Sequence, residues 1–193
     1  MDTKILIVGA GPTGLTAAVE LARHGCLAQV IDARSGPSQL SRAVGILQRS
    51  MDILTPSGVA DDIRTEAIKI AGVAFHIGSA RCAEFPLNFD DASCLLGLPQ
   101  DRTEHFLKQA FERYGGMVDY GQNLEALSQN AQGVTATING KTQMYDQVIG
   151  ADGVQSTVRK SLGLDFPGFH LPTQWSIADV DCETWRDPEM FQG

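Results

Sequence analysis

The stretch that decides the fold runs from residue 5 to residue 25 and reads ILIVGAGPTGLTAAVELARHG. Residues 4–8 are short, β-branched and without polar alternation, which is typical of a fully buried strand. Three glycines follow, at Gly9, Gly11 and Gly14. Such a triplet either cradles the pyrophosphate of a dinucleotide or makes a tight turn between a strand and a helix. The residues that follow have to decide between the two.

A helix and a second strand are predicted after the glycines. Apolar residues recur with the helical spacing i, i+3, i+4 and i+7 at Leu15, Ala18, Val19 and Ala22. Gly25 is a suitable C-terminal stop for this helix. Residues 28–32 then predict a short strand that ends in a carboxylate. Together these segments form a β-α-β unit of about thirty residues, the length of one parallel crossover.

The setting of the glycines favours a phosphate site. Gly9 would make the tight turn, Gly11 would leave room for a pyrophosphate, and Gly14 would let helix and strand approach closely. Pro12 and Thr13 open the helix, whose first N–H groups would face the phosphates. These five residues are our candidates for binding the pyrophosphate of a cofactor.

Asp32 ends the second strand, where an acidic residue would accept hydrogen bonds from a ribose diol. The strand-to-helix setting of the glycines, the spacing between Gly14 and Asp32 and the carboxylate itself all favour a nucleotide site. We prefer this interpretation to a plain turn with a solvated aspartate. Arg34, two residues later, could lie over an adenine ring or point into solvent.

The rest of the chain alternates between helical and β-like patterns. Helices are predicted over residues 48–54 and 101–114, and β-structure over 71–89. The alternating residues 134–150, with a type I′ turn at Asn139–Gly140, predict a β-meander that feeds another strand. Segments of the nucleotide-binding type alternate along the chain with β-rich segments. This order suggests two lobes, each built from separate pieces of the chain.

A second strand-to-helix junction lies in residues 148–163, VIGADGVQSTVRKSLG. Asp152 and Gly153 follow a β-branched strand, and Ser156 and Arg159 fall in the first turns of a helix. Taken alone, this junction is best interpreted as a helix cap with a charged surface face.

The motifs together resemble a known family. Segments of this chain resemble, in the same order, segments of the class A FAD-dependent aromatic hydroxylases. They read VGAGPTGL with VID, SRAVGILQRSMDIL, LPQDRTEHFL and GADGVQSTVRK. That family includes p-hydroxybenzoate hydroxylase and the aromatic polyketide hydroxylases. The resemblance implies an α/β fold: a glutathione-reductase-like FAD-binding Rossmann domain with a β-meander, and part of a β-sheet substrate domain. We assign residues 1–70 and 98–165 to the first, and 71–97 and 166–193 to the second.

The resemblance also implies roles for further residues. Arg42 matches an arginine near the pyrophosphate and the isoalloxazine edge, and Gln100 matches a flavin-contacting glutamine. Asp152 and Gly153 match the D-G motif used for FAD and, through its surroundings, for the nicotinamide cofactor. The alternatives are an ordinary loop arginine at residue 42 and an exposed helix start at residue 100. Arg159 is expected to brace the D-G turn.

The amino-acid composition limits the kinds of partner that this protein is expected to bind. A net charge of -8 argues against a general affinity for nucleic acid or for an anionic membrane. The four cysteines form no C-x-x-C pair and the four histidines show no metal spacing, so no metal site is predicted. The widely spaced cysteines favour free thiols in a reducing cytoplasm. The first residues show neither a basic segment nor a long apolar stretch, so neither a signal peptide nor a membrane span is predicted.

The resemblance implies a monooxygenase in which NADPH or NADH reduces FAD and O₂ supplies the oxygen for an aromatic substrate. The flavin performs this chemistry, so no catalytic side chain is named. Two alternatives stay open: a nicotinamide-dependent dehydrogenase, and a non-catalytic flavin- or nucleotide-binding module. The family's later motif, which closes over the ribityl chain of FAD, does not occur between residues 163 and 193. We therefore expect the chain to be an N-terminal fragment, inactive alone.

Overall fold

The structure is a computed structural model that describes residues 3–39, 45–78, 80–87, 95–169, 171–173 and the backbone of 190–192. The strands are β1 (Ile5–Val8), β2 (Gln29–Asp32), β3 (Gly45–Leu47), β4 (Ile68–Ile70), β5 (Gly72–Ile77), β6 (Ala80–Pro86), β7 (Leu95–Gly97), β8 (Val118–Tyr120), β9 (Leu124–Asn130), β10 (Gly133–Ile138), β11 (Lys141–Tyr145), β12 (Gln147–Gly150) and β13 (Met190–Gln192). The α-helices are α1 (Pro12–Arg23), α2 (Gln48–Leu54), α3 (Val59–Glu66), α4 (Gln100–Arg113) and α5 (Thr157–Ser161).

The chain divides into two compact units. The first contains residues 1–40 and 101–173, and the second contains residues 41–100 and 174–193. Each unit is therefore assembled from two separate pieces of the chain, as the interleaved sequence pattern suggests.

A parallel sheet with the strand order β12-β1-β2-β8 forms the centre of the first unit. Its inner strand β1 is buried along its whole length, because a strand covered on both faces needs no polar alternation. The predicted order of strand, helix and strand is confirmed for β1, α1 and β2. Leu15, Ala18 and Val19 of the predicted stripe are buried.

An antiparallel sheet of β9, β10 and β11 belongs to the same unit. Its apolar side chains share one buried cluster with those of the parallel sheet, formed by Leu6, Val8, Ile31, Leu124, Ala136, Ile138, Tyr145 and Val158. Asn139 and Gly140 both have positive φ, at 45° and 73°, as a type I′ turn requires. The predicted β-meander is thus present, and it also includes β9, which the sequence pattern did not indicate.

The second unit contains two small sheets, with the orders β3-β7-β4 and β13-β5-β6. Helix α2 has the predicted bounds, 48–54, whereas α3 was not predicted. Gly58 precedes α3 with φ +80°, a left-handed conformation that separates α3 from the turn before it.

The compact units do not follow the predicted domain boundaries. Residues 41–70 were assigned to the FAD-binding domain, but they belong to the second compact unit. The physical reason is strand pairing, since β3 and β4 both pair with β7. Residues 166–173, in turn, belong to the first unit. Which residues serve the cofactor is a separate question, and the functional assignment of these segments stays a prediction.

Candidate cofactor-binding site

The two glycine-containing junctions, after β1 and after β12, lie side by side at the carboxyl ends of the strands of the parallel sheet. Strands β1 and β12 are parallel neighbours, with Val8 opposite Gly150, so both strands end at the same level. The N–H of Ala151 donates to the carbonyl of Val8 at 2.7 Å. Ligands of open α/β sheets bind outside the carboxyl ends of the strands. The fold thus places both motifs where such a ligand would lie.

Gly9 and Gly14 are required by the packing of the backbone itself. Gly9 has φ +104°, and a Cβ placed there would lie 2.3 Å from the carbonyl oxygen of Ala151. A Cβ on Gly14 would lie 1.9 Å from the carbonyl oxygen of Gly9. Real Cβ atoms do not approach backbone oxygen this closely. These two glycines let strand β1, helix α1 and the end of β12 come together, as the sequence predicted for Gly14.

Gly11 differs from both, because no protein atom explains its lack of a side chain. It has φ −77° and lies at the N-cap of α1, and a Cβ placed on it would have nothing within 4 Å. The space that a side chain would fill lies at the start of a helix with Pro12 at its first position. No side chain caps this helix start and no acidic residue lies in its first turn. An open, uncapped helix N-terminus of this kind fits a pyrophosphate.

Asp32 lies at the end of β2 and is 8% exposed. Its Oδ2 accepts a hydrogen bond from the N–H of Ala10 at 2.7 Å, and its Oδ1 accepts one from the N–H of Arg34 at 2.8 Å. Burial opposes ionisation, but these bonds and the Arg34 guanidinium outweigh it, so the pKa of Asp32 lies below its usual range. The charged carboxylate therefore stabilises the fold above its unfolded pKa and loses this contribution as the pH falls.

Arg34 donates hydrogen bonds to protein groups and does not simply point into solvent. A contact with an adenine ring stays a prediction. Its Nε and Nη2 each donate to Asp32 at 3.0 Å, and Nη2 also donates to the carbonyl of Ala10 at 3.0 Å. Its Nη1 donates to Glu104 of α4 at 3.2 Å. This arginine ties the glycine loop and the end of β2 to helix α4.

The carboxylate of Asp32 thus carries four hydrogen bonds, two on each oxygen. Four is about the full acceptor capacity of an ionised carboxylate. A ribose hydroxyl that binds there has to share or replace one of the bonds to the Arg34 side chain.

Ser156 is the N-cap residue of helix α5, and the carboxylate of Asp152 accepts hydrogen bonds from the first N–H groups of that helix. The sequence favours such a capping role for the D-G motif taken alone. The Asp152 carboxylate accepts hydrogen bonds from the N–H groups of Thr157 at 2.6 Å and Val158 at 3.1 Å, and from the hydroxyl of Ser156. The Arg159 guanidinium donates to the carbonyl of Val154 at 2.9 Å, which braces the turn as predicted. A cofactor contact of Asp152 or of Gly153, which has φ +78°, stays a prediction.

Replacing Asp152 by alanine is expected to lower the free energy of unfolding by about 1–2 kcal/mol, the range for loss of a helix cap. Urea denaturation followed by circular dichroism measures this change. Asp152→Asn keeps an acceptor oxygen and should lose less than half as much. Equal stability of the wild type and the alanine variant would show that the cap contributes nothing.

For two of the predicted site residues, the structure gives no position relative to the glycine loop and Asp32. Arg42 lies outside the described residues. Gln100 is the first residue of α4 and belongs to the second compact unit. Their contacts with the flavin remain predictions from the family resemblance.

Glu104 was missed by the sequence reasoning. It is 4% exposed and lies on the same face of α4 as Leu107 and Phe111, which are also buried. The available signal was an acidic residue at a core-facing position of an amphipathic helix, since such a group needs a partner when it is buried. The partner, Arg34, is seventy positions away in the sequence, so periodicity alone could not identify it.

The described residues contain neither a metal cluster nor a membrane-crossing helix. Among these residues, no group of three or more His, Cys, Asp or Glu side chains is arranged to hold a metal ion. In the same part of the chain, no helix has both the length and the apolar composition needed to cross a membrane.

The fold and the site define a Rossmann-type dinucleotide-binding protein, and comparison with known proteins gives the family. The model of the FAD binding domain matches residues 2–193, so the chain belongs to the FAD-binding-domain family and its cofactor is FAD.

Named relatives confirm the resemblance to flavin-dependent hydroxylases. The chain is 35% identical, over 87% of its length, to 12-dehydrotetracycline 5-monooxygenase/anhydrotetracycline 6-monooxygenase of Streptomyces rimosus. It is 35% identical, over 85% of its length, to rifampicin monooxygenase of Streptomyces venezuelae. The chain covers 34% of each of these relatives, so it spans about a third of their length.

A solved structure confirms the predicted fold class. The flavin-dependent monooxygenase PieE, in complex with FAD and substrate, superposes with a TM-score of 0.81 at 30% identity. The match covers 88% of this chain and 33% of PieE.

Proposed function

We propose that this chain forms the FAD-binding part of a monooxygenase that hydroxylates an aromatic substrate, phenolic or polyketide, with NADPH or NADH and O₂. The observation that carries the proposal is the glycine loop. Gly9 and Gly14 are explained by backbone packing, whereas a Cβ at Gly11 would meet no protein atom. This open space at the start of α1 is where we propose that the pyrophosphate lies. The named relatives, which are monooxygenases, support the reaction class.

The candidate residues of the glycine loop and of the end of β2 have distinct roles in holding the cofactor. The first turn of α1, from Pro12 to Gly14, would direct its N–H groups at the pyrophosphate, with Gly11 leaving room for it. Asp32 would accept hydrogen bonds from the adenosine ribose, and Arg34 would hold the Asp32 carboxylate in position.

Bound FAD supplies the redox chemistry, and the protein supplies binding, orientation and exclusion of water. In the glycine loop and at the end of β2, the groups that we place at the cofactor are backbone N–H groups, one carboxylate and one arginine. None of them is a general acid or base, so we assign no catalytic side chain to these residues.

The substrate is inferred from the relatives. Those compared above are named for tetracycline intermediates and for rifampicin. We therefore propose a small aromatic compound as the partner of this protein. The net charge of -8 supports neither a nucleic acid nor an anionic membrane as a partner. We propose a cytoplasmic location.

A nicotinamide-dependent dehydrogenase is the second candidate function, since it would use the same β-α-β unit. The β-meander of β9 to β11 argues against it, because a plain NAD domain does not need this sheet. Purified full-length protein separates the two: bound flavin absorbs at about 450 nm, whereas bound NAD does not.

The reaction class is tested by steady-state oxidation of NADPH and NADH by the FAD-loaded full-length protein. We expect the rate to rise when a phenolic or polyketide substrate is added, and a hydroxylated product to be seen by mass spectrometry. Flavin that binds normally but gives no product with any aromatic compound would favour a non-catalytic flavin-binding module and would contradict the proposal.

A further inference from the structure

A second buried carboxylate lies beside the residues that we assign to the ribose. Glu104 projects from the buried face of α4 and is 4% exposed. Its Oε2 forms an ion pair with Nη1 of Arg34 at 3.2 Å. Nothing in the proposed function needs this group, because Asp32 alone suffices as the acceptor for a ribose diol.

The guanidinium of Arg34 is committed to protein acceptors in several directions. Its Nε and Nη2 bind Asp32, Nη2 binds the carbonyl of Ala10, and Nη1 binds Glu104. Four of its five N–H groups therefore have acceptors. An arginine close to the end of this strand is the kind of group that would accommodate the 2′-phosphate of an NADP-type nucleotide. Here two carboxylates compete with any such phosphate.

We infer that Glu104 contributes to specificity: together with Asp32 it makes the site at the end of β2 admit the plain ribose of FAD and disfavour a 2′-phosphorylated adenosine. The inference rests on the proposed function, because it places the ribose at Asp32. A 2′-phosphate would have to draw Arg34 away from both carboxylates while lying close to their negative charges. Both carboxylates are buried, and buried charges are weakly screened, so this repulsion is large.

Competition for the flavin site tests the inference without any turnover. The full-length protein is freed of flavin and titrated with FAD in the presence of ADP-ribose or 2′-phospho-ADP-ribose. In the wild type we expect the added phosphate to weaken competition roughly a hundredfold. In Glu104→Gln we expect this discrimination to fall about fivefold, since the amide removes the charge. The amide still offers Arg34 an oxygen acceptor.

Glu112→Gln is the matched control, because it makes the same change in net charge on the same helix. Glu112 is 44% exposed and pairs with Lys108, so its loss should leave the discrimination unchanged. Glu104→Asp keeps the negative charge and should therefore keep the discrimination. It provides a second test of the role of the charge if the Glu104→Gln variant folds poorly. Thermal melting followed by circular dichroism checks the fold of each variant.

The outcomes separate the inference from the proposed function. Unchanged discrimination in Glu104→Gln, an equal change in Glu112→Gln, or loss of discrimination in a folded Glu104→Asp would each overturn the role of Glu104. If the wild type binds FAD but neither competitor displaces it, the ribose does not lie at Asp32 and the inference fails. If the wild type does not bind FAD, the proposed function itself fails.

Discussion

Gly14→Ala is expected to destabilise the protein by about 3 kcal/mol or more, because the new methyl group cannot be accommodated without moving backbone. The Cβ would lie 1.9 Å from the carbonyl oxygen of Gly9 and 3.3 Å from the Cβ of Ala151. The contacting groups are main chain and a methyl group, so no flexible side chain can move aside. Helix α1 would have to shift away from the ends of β1 and β12, and FAD affinity should fall with it.

Urea denaturation of the flavin-free protein measures the loss of stability in Gly14→Ala. Gly25→Ala is a useful comparison, since Gly25 also lies at an end of α1 but has open space around its Cβ position and φ +83°. Its cost should come only from the left-handed backbone, about 1 kcal/mol. A Gly14→Ala protein as stable as the wild type would contradict the close packing of the glycine loop.

Asp32→Ala is expected to weaken FAD binding roughly ten- to a hundredfold. A hydrogen bond to a charged acceptor contributes about 1.5–3 kcal/mol, which corresponds to that range of affinity. The substitution also removes the acceptor for the N–H of Ala10 and leaves Arg34 with only part of its partners. Stability should therefore fall as well, and FAD titration has to be done under conditions in which the variant is folded.

Asp146→Ala is the matched control for Asp32→Ala. Asp146 also accepts a hydrogen bond from a main-chain N–H, that of Lys4 at 2.6 Å, but at the opposite end of β1. Its loss should affect stability and leave FAD affinity unchanged. An Asp32→Ala variant that binds FAD as tightly as the wild type would exclude the ribose assignment.

The elements with strong local patterns were predictable from the sequence. Strand β1, helix α1 and strand β2 follow from burial, helical spacing and glycine punctuation, and all three are present where they were predicted. The bounds of α4 differ from the prediction by one residue at each end, which is within the normal fraying of helix termini.

Features that depend on distant residues were not predictable. Strand β9 reads LEALSQN, with little alternation, and it is defined by its pairing with β10. The compact units depend on the pairing of β3 and β4 with β7. The ion pair between the half-buried Arg34 and the buried Glu104 joins the loop after β2 to helix α4, and no local pattern connects these two segments.

We propose that the pyrophosphate of FAD occupies the space at Gly11, and the Gly11→Ala variant tests this placement. A methyl group there meets no protein atom, and the φ of −77° suits alanine. Alanine is a less favourable N-cap residue than glycine, but it also reduces the conformational entropy of the unfolded chain. Because these effects oppose each other, the free energy of unfolding should change by less than about 1 kcal/mol.

The deciding measurement is FAD titration of the folded Gly11→Ala protein beside Gly168→Ala, a glycine that also has open space and an ordinary φ. We expect at least about a tenfold loss of FAD affinity for Gly11→Ala, because the methyl group would occupy the place of the pyrophosphate. We expect no loss for Gly168→Ala. Wild-type FAD affinity in a fully folded Gly11→Ala protein would contradict this placement.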